Sequence, residues 1–498
     1  MNHLYVFSPL KTGTIKPELY GHFTEHIGGV IYDGIYVGEN SPVPNIRGFR
    51  KEILEKLRAI HAPVIRWPGG CYAEMYDWRD GIGPKNTRPT RISWWTKYDG
   101  KYESNEVGTH EFCDFCELAG AKAYFAANLT SVSPLHIRNW VDYATSPAGT
   151  TTLSEERRAN GHPDAFDIPF WGIGNENWGG GGNMTPETYA HEWRRYATVV
   201  KNANPELKLI ACGPNAEDWE WSRRFLAIAR EHPELMSGYA LHYYCFNRED
   251  NPVDFGEKDW YRMLWQAARM QVLIDRHWGY IRGYGLESQA KLYIDEWGAW
   301  HPDGSGPSRG ANLYEQQSTL RDANMSAIYL NIFNNNCDKV DMANAAQLVN
   351  NLHALFLTAG EHCITTPTYH VFDLWKNHRN GTAVKTENDC GIIEFPGKTV
   401  PLRLRRVSSS ASVKNGILTL TLQNSDYHGA ISLKLVLCGI RASGKGVLRS
   451  LWSEHPTDCN TFENPDLVKP TESETDGVSL TLRPGEILSL SLPIEEDL

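Results

Sequence analysis

Two glutamates, each at the end of a short apolar segment, are the residues of this chain best placed for acid–base or nucleophilic chemistry. Glu176 ends the segment FWGIGNE (residues 170–176), and Glu296 ends the segment KLYIDE (residues 291–296). A single carboxylate in such a place is costly to bury and is equally well explained by a structural ion pair. Two of them in one site would meet the requirement of glycoside hydrolysis, which uses two carboxyl groups that flank the scissile bond.

The elements that must position this pair are predicted from the alternation of apolar and amphipathic segments between residues 18 and 380. The predicted strands are residues 21–26, 64–68, 122–129, 170–176, 208–213, 239–244, 291–296 and 340–347. The predicted helices between them include residues 50–60, 111–119, 188–203, 220–231, 259–277 and 314–334. Eight repeats of strand and helix predict a parallel (β/α)8 TIM barrel. The carboxyl ends of its strands meet at one face, so strands four and seven would place the two glutamates on opposite sides of the barrel mouth.

Other polar side chains also lie at the ends of the predicted strands, which is where a barrel places its active site. They are Glu25 and His26 on strand one, Arg66 and Cys71 at the end of strand two, Asn175 on strand four, His242 and Tyr244 on strand six, Asp295 on strand seven, and Asn344 and Gln347 on strand eight. Arg66 would keep a neighbouring carboxylate ionised, as a nucleophile requires, or would form a purely structural salt bridge. Glu176 would need a raised pKa to remain a proton donor near neutral pH. Because neighbouring side chains of a strand face opposite ways, Asp295 is predicted to be structural.

The pattern changes after residue 380, where helical periodicity fades and short segments with β-branched residues are punctuated by Gly, Pro, Asn and Asp. This pattern predicts a C-terminal antiparallel β-sandwich of the jelly-roll kind. We therefore predict three segments. Residues 1–17 form a strand that joins the sandwich, residues 18–380 form the catalytic barrel, and residues 381–498 form the sandwich.

Composition excludes several classes of function. The formal net charge is −11 and no run of five or more Lys or Arg occurs, which argues against nucleic-acid binding. No apolar run is long enough to span a membrane. The N-terminus has no signal-peptide pattern and the ten cysteines are scattered, so we expect reduced thiols and a cytoplasmic protein. Cys113 and Cys116 form a lone C-x-x-C, and no nucleotide or metal motif is present, so we predict no cofactor and no metal.

Seven motifs, in this order along the chain, resemble those of glycoside hydrolase family 51, the clan A α-L-arabinofuranosidases. They are YGHFTEHIGG (residues 20–29), RWPGGC (66–71), GTHEF (108–112), GNENWG (174–179), LHYY (241–244), DEWG (295–298) and ANAAQLVN (343–350). A lone NE dipeptide would carry little weight, whereas seven ordered motifs are specific. The C-terminal sandwich also matches the architecture of this family.

The resemblance implies a role for each matching residue. Glu176 is the expected acid/base and Glu296 the expected nucleophile of a retaining mechanism, and Asn175 is expected to hydrogen-bond the sugar 2-hydroxyl. Glu25 and Gln347 would hold furanose hydroxyls, and Tyr244 would hydrogen-bond the nucleophile. The other expected substrate-site residues are Arg66, His242 and Cys71. Cys71 lies where several relatives have Asn. The resemblance also implies a homo-oligomer, which in this family is often a hexamer.

The function predicted from the sequence is thus an exo-acting α-L-arabinofuranosidase that releases terminal arabinofuranose from arabinoxylan, arabinan or their oligosaccharides. One alternative is another clan A glycosidase on the same scaffold, such as a β-xylosidase or an endo-β-glucanase. A second alternative is a carbohydrate-binding protein without activity. Two aromatic loops, residues 91–98 (RISWWTKY) and 300–310, could close a pocket, as an exo-acting enzyme requires.

Overall fold

Eight parallel strands close into a barrel in the computed structural model, which describes residues 2–247 and 251–496. In chain order the strands are Gly21–Phe23, Val64–Trp67, Lys122–Ala127, Phe170–Ile173, Lys208–Ala211, Gly238–Phe246, Lys291–Trp300 and Val340–Ala346. The eighth strand pairs with the first and so completes the ring. All eight predicted strands are confirmed. Several end earlier than predicted, because their polar last residues leave the hydrogen-bonded ladder and line the barrel mouth.

A layer of side chains fills the interior of the barrel. Seven buried residues form it, one from each of strands two to eight: Val64, Tyr124, Phe170, Ile210, Ala240, Tyr293 and Met342. Strand one contributes Gly21, where a Cβ atom would lie 2.8 Å from Val64 Cγ1, so only a glycine fits this position. The barrel is therefore a packed core, and ligands can reach only the space above this layer.

Eleven α-helices lie in the described residues, and most of them surround the barrel. Their bounds are Lys51–Ala59, Thr96–Asp99, Thr109–Ala119, Pro134–Thr145, Thr152–Ala159, Pro186–Ala203, Trp219–Ala229, Glu257–Ala268, Met270–Gly283, Leu320–Asn335 and Pro367–Trp375. The helix Pro186–Ala203 shows how the local sequence sets the start of a helix. The Thr185 side chain caps it by accepting from the Thr188 amide at 3.2 Å, and proline occupies its first turn.

Two predicted helices differ from the structure. The predicted helix 259–277 is two helices, Glu257–Ala268 and Met270–Gly283. The predicted start at residue 314 is wrong, because the helix begins at Leu320. There Thr319 and Asp322 form a capping box that fixes the first turn. The segment before it runs instead as a loop beside the barrel mouth.

A second, ten-stranded sheet holds most of the C-terminal residues. Its strands are Asn2–Thr14, Thr382–Asn388, Val407–Lys414, Ile417–Asn424, Ile431–Cys438, Ile440–Ala442, Gly446–Leu451, Thr471–Thr475, Ser479–Leu482 and Ile487–Glu496. Strand pairs are antiparallel, except that Asn2–Thr14 runs parallel to Ile431–Cys438. No short turn joins these two strands, so nothing forces an antiparallel direction.

The sheet folds over on itself as a β-sandwich. Leu480, near one end of the sheet, and Leu490, near the other end, belong to one apolar cluster. Leu4 and Val6 of the N-terminal strand belong to the same cluster. Within the described residues, no helix is both long and apolar enough to cross a membrane. The domain bounds 1–17, 18–380 and 381–498 stay a prediction, and Met1 and the last two residues lie outside the described residues.

Candidate active site

Glu296, on the seventh barrel strand, is surrounded by hydrogen-bond donors. Its Oε1 accepts from Arg66 Nη1 at 2.9 Å, and its Oε2 accepts from the Tyr244 hydroxyl at 2.8 Å. The residue is only 4% exposed. Burial alone would raise its pKa, but the charges of His242 and Arg66 and these two hydrogen bonds outweigh burial and hold the pKa below its usual value. Glu296 is therefore ionised at neutral pH, as a nucleophile must be.

Arg66 is held in place by more than Glu296. Its guanidinium lies over the Phe23 ring, 4.7 Å from the centroid, and Nη2 donates to the side-chain oxygen of Asn175. Arg66 is 2% exposed, so its charge acts on Glu296 with little screening by water. The sequence left open a structural or an activating role for Arg66, and this geometry favours the activating one.

Glu176 lies across the pocket from Glu296 and has the opposite electrostatic surroundings. Burial and the negative charge of Glu296 raise its pKa, and hydrogen bonding to His242 only partly offsets this. The shift keeps Glu176 protonated to higher pH than an ordinary glutamate. Its backbone has φ +45°, in the left-handed region that a non-glycine residue rarely adopts. Such strained residues concentrate at functional sites, where the surrounding structure holds them.

His242 lies between the two glutamates. Its Nδ1 is 2.9 Å from Glu176 Oε1 and 3.5 Å from Glu296 Oε2. Although burial opposes its charged form, the two carboxyl groups raise the pKa of His242. His242 therefore acts on the glutamates, whereas the sequence grouped it with the substrate contacts.

Two amides present polar atoms that have no hydrogen-bond partner among the described residues. One is the side-chain nitrogen of Asn175, whose oxygen is taken by Arg66. The other is the side-chain oxygen of Gln347, whose Nε2 donates to Glu25 Oε2 at 3.1 Å. Buried polar atoms are costly without partners, so a donor and an acceptor are available here for the hydroxyl groups of a ligand.

Glu25 is a third polar group of the same pocket, 3% exposed. Its Oε1 accepts from the Tyr72 amide and from Trp95 Nε1, both at 3.0 Å. Burial, opposed by the Tyr72 hydrogen bond, raises the pKa of Glu25 to about 8. Trp95 belongs to the aromatic loop 91–98, so this bond ties that loop to the pocket.

Cys71 begins the short 3₁₀ turn Cys71–Met75 after the second strand, and it lies at the edge of the pocket. Its Sγ is 4.0 Å from Glu176 Oε2. Burial and the nearby charge of Glu176 raise the pKa of the thiol, so it stays protonated and is not a competing nucleophile. A Cβ atom on Gly180 would lie 2.7 Å from this sulfur, which explains the glycine there.

Asp295 and Glu296 both point into the barrel, although neighbouring residues of a regular strand face opposite ways, and the structural role of Asp295 stays a prediction. The pairing with strand six slips by one residue between Tyr293 and Glu296, which is a β-bulge. The bulge lets both acids point into the barrel. Asp295 lies deeper, where it accepts from the Tyr124 hydroxyl at 2.6 Å. It supports the site from below.

Three histidines of the ordered motifs, His22, His26 and His110, differ in their surroundings. His26 pairs with Glu103 at 2.9 Å and accepts from Trp67 Nε1 at 2.9 Å. His110 pairs with the Tyr143 hydroxyl. The ring nitrogens of His22 have no partner among the described residues, and burial lowers its pKa to about 3, so this ring is neutral.

Glu74 was missed by sequence reasoning. It is 1% exposed, and its carboxylate accepts hydrogen bonds from the loops that follow strands three and four. Nothing in its position, three residues after Cys71, separates it from an ordinary surface acid in a turn. Only contacts between distant loops identify it.

One group of potential metal ligands coincides with this pocket. Within the described residues, Glu176, His242 and Glu296 present ligand atoms that all lie within 4.8 Å of one another. The hydrogen bond between His242 and Glu176 and the pairing of Glu296 with Arg66 account for this arrangement without an ion. Cys113 and Cys116 are free thiols on the helix Thr109–Ala119, remote from these three residues in the sequence.

Aromatic rings form a continuous wall at the pocket mouth. Trp300 packs edge-on against Tyr244, with centroids 5.2 Å apart, and against Tyr314 at 5.1 Å. Tyr314 in turn meets Trp95 at 5.9 Å, and Trp95 meets Tyr98 at the same distance. The two aromatic loops predicted to close a pocket therefore meet through Tyr314. Such faces suit the apolar faces of sugars.

Comparison with known proteins agrees with this architecture and site. Residues 56–258 match the family described as "Alpha-L-arabinofuranosidase 1 domain" and residues 295–491 match "Alpha-L-arabinofuranosidase C-terminal domain". The chain is similar to an "Intracellular exo-alpha-L-arabinofuranosidase" of Bacteroides ovatus, with 36% identity over 92% of this chain and 88% of the relative.

Solved structures show the same similarity over nearly the whole chain. A family 51 arabinofuranosidase from Xanthomonas axonopodis pv. citri superposes with a TM-score of 0.91 at 34% identity, covering 99% of this chain and 100% of that one. An α-L-arabinofuranosidase from Thermotoga maritima, solved as an arabinose complex, superposes with a TM-score of 0.87 at 28% identity, with the same coverage.

Proposed function

The chain belongs to glycoside hydrolase family 51 and is an exo-acting α-L-arabinofuranosidase, and on this premise we propose that Glu296 is its nucleophile and Glu176 its acid/base in a retaining reaction. The observation that carries this proposal is the spacing of the pair. Carboxylate oxygens of the two residues lie within 4.8 Å of each other. Retaining enzymes hold their carboxyl groups about 5–5.5 Å apart, whereas inverting enzymes need about 6.5–9.5 Å to admit a water.

In the first step, Glu296 attacks the anomeric carbon and forms a bond to it, while Glu176 gives its proton to the departing glycosidic oxygen. Arg66 and Tyr244 orient the attacking carboxylate through its two oxygens. The left-handed turn at Glu176 aims the acid from the opposite side. The product of this step is a covalent glycosyl-enzyme.

In the second step, Glu176 takes a proton from water, and the resulting hydroxide displaces Glu296 from the sugar. The same electrostatics drive this change of role. The charge of Glu296 raises the pKa of Glu176 in the free enzyme. Once Glu296 is esterified, this repulsion disappears and the pKa of Glu176 falls, so the acid becomes a base.

The pocket has the polar groups to hold a terminal furanose. We propose that the free nitrogen of Asn175 binds the 2-hydroxyl, and that Glu25 and Gln347 bind further hydroxyl groups. Cys71 would line the same subsite. The aromatic wall of Trp95, Trp300 and Tyr314 would close the pocket behind one sugar, which favours exo action over the open cleft of an endo-β-glucanase.

Substrate preference tests this function. The enzyme acts on arabinose-containing substrates, and we propose that these are side chains of arabinoxylan or arabinan and their oligosaccharides. Aryl α-L-arabinofuranosides should have the highest kcat/KM. A preference of about tenfold or more for aryl β-D-xylopyranosides or β-glucan would contradict the proposal.

We also propose that the enzyme is a cytoplasmic homo-oligomer, such as a hexamer. The relative from Bacteroides ovatus is described as intracellular, and all ten cysteines, which lie in the described residues, are free thiols. Free thiols suit a reducing compartment. Light scattering should give a mass that is a multiple of the 56.3 kDa chain, and a monomeric mass would refute the assembly.

A further inference from the structure

Glu74 holds the residues on both sides of Glu176, Asn175 through its backbone amide and Asn177 through its side chain. Its Oε1 accepts from the Asn175 amide at 2.7 Å and from the Asn177 side-chain nitrogen at 2.9 Å. Asn177 also donates to the Gly181 carbonyl at 2.8 Å. One carboxylate oxygen thereby fixes the residue before Glu176 and the residue after it, and through Asn177 the turn that follows.

The other oxygen of Glu74 holds a different loop. Oε2 accepts from the amides of Leu129 at 2.7 Å and Thr130 at 2.8 Å, after the third strand. Thr130 in turn donates through its hydroxyl to Gly181 at 2.8 Å. The loops after strands two, three and four are therefore joined at a single buried carboxylate. Four N–H donors to two oxygens require an acceptor-only group, which is what a carboxylate supplies.

Glu176 needs such support because of its backbone conformation. A glutamate at φ +45° is strained, and it keeps that conformation only where its surroundings over-determine it. Gly174, two residues earlier, has φ +89° and lies so close to the Asn177 side chain that a Cβ atom would be 2.2 Å from its oxygen. The turn is thus compact, and the hydrogen bonds of the Asn175 amide and the Asn177 side-chain nitrogen both end on Glu74.

We propose that Glu74 is a positioning residue for proton transfer, which holds Glu176 where its carboxyl group reaches the leaving-group oxygen. Glu74 does not touch the sugar. The inference rests on the proposed acid/base role of Glu176. It predicts that weakening Glu74 harms the steps that need a proton from Glu176 and spares those that do not.

The test is Glu74→Gln, assayed by kcat/KM on two aryl α-L-arabinofuranosides. Glutamine replaces one acceptor oxygen by an NH2 group that faces N–H donors, so two of the four hydrogen bonds are lost. With 4-methoxyphenol as the leaving group, kcat/KM should fall about 100-fold, the usual effect of misplacing a reacting group by about 1 Å. With 2,4-dinitrophenol, which departs without protonation, kcat/KM should fall by less than about threefold.

Glu486→Gln is the matched control. Glu486 is another buried glutamate, 4% exposed, and it accepts hydrogen bonds in the sandwich from Ser450 and Arg483. This change should lower the melting temperature and leave the ratio of kcat/KM for the two substrates unchanged. A purely structural role of Glu74 would give the same result as this control.

Equal losses on both substrates for Glu74→Gln would overturn the inference. If that variant does not fold, Asn177→Ala provides a second test, because it removes one of the four donors. It should show the same dependence on the leaving group, at reduced size. Equal losses on both substrates for Asn177→Ala would also overturn the inference. Glu176→Ala separates the two proposals. If Glu176→Ala itself shows no dependence on the leaving group, its acid/base role is wrong, whatever Glu74 does.

Discussion

Tyr244→Phe isolates one of the interactions that keep the proposed nucleophile ionised. The substitution removes only the hydroxyl that donates to Glu296 Oε2 at 2.8 Å. Burial raises the pKa of Tyr244 well above its usual value, so this hydroxyl remains a donor across the assay range. A hydrogen bond to a charged group contributes about 1.5–3 kcal/mol. One pKa unit corresponds to about 1.36 kcal/mol, so the pKa of Glu296 should rise by about one to two units.

The sign of the effect on the pH profile follows from the direction of this shift. Burial opposes the ionised form of Glu296, and its surroundings nevertheless hold the pKa below the usual value. Losing one donor raises that pKa, so the acidic limb of kcat/KM moves to higher pH. The basic limb reports on Glu176, whose pKa is raised by burial and by ionised Glu296, and it should not move. At the optimum pH we expect kcat/KM to fall about tenfold or more.

Tyr243→Phe provides the control, since the hydroxyl of this neighbouring residue donates to the Gln266 carbonyl at 2.9 Å and not to the pocket. The assay is kcat/KM for an aryl α-L-arabinofuranoside across the pH range in which each variant is stable. Tyr243→Phe should leave both limbs in place. The reasoning is refuted if Tyr244→Phe leaves the acidic limb where it is, or if it shifts the basic limb instead.

Two other predictions concern the reaction itself. Glu176→Ala should still glycosylate on activated substrates and then stall, and azide should restore turnover with a product of retained configuration. Azide rescue of Glu296→Ala should instead give the inverted product, and NMR of the two adducts distinguishes the assignment from its reverse. Glu176 pairs with His242 and Glu296 pairs with Arg66, so the arrangement of these side chains does not require a metal ion. Dialysis against EDTA should therefore leave activity intact. Loss of activity that a divalent ion restores would reveal a metal site.

Local sequence patterns were sufficient for the barrel and for the two glutamates that meet at its mouth. A strand of a parallel barrel is buried on both faces, so it appears in the sequence as a run of apolar residues, such as residues 170–173. A polar residue that follows such a run lies at the mouth of the barrel. Glu176 and Glu296 were found in this way, and the ordered motifs then indicated their family. The start of the helix Leu320–Asn335 was misplaced because the capping box of Thr319 and Asp322, which decides where the helix begins, was not recognised in the sequence.

The sequence by itself determined which elements form and which residues stand at their ends, because those properties follow from short-range periodicity. The direction in which side chains point and the charges they meet depend on pairing between distant segments. A one-residue slip against strand six lets the neighbouring residues Asp295 and Glu296 both point into the barrel. Loop contacts made Glu74 an anchor for the turn at Glu176. Only the tertiary structure places His242 between the glutamates and Arg66 against Glu296. These contacts give two chemically identical side chains opposite pKa shifts, on which their different proposed roles rest.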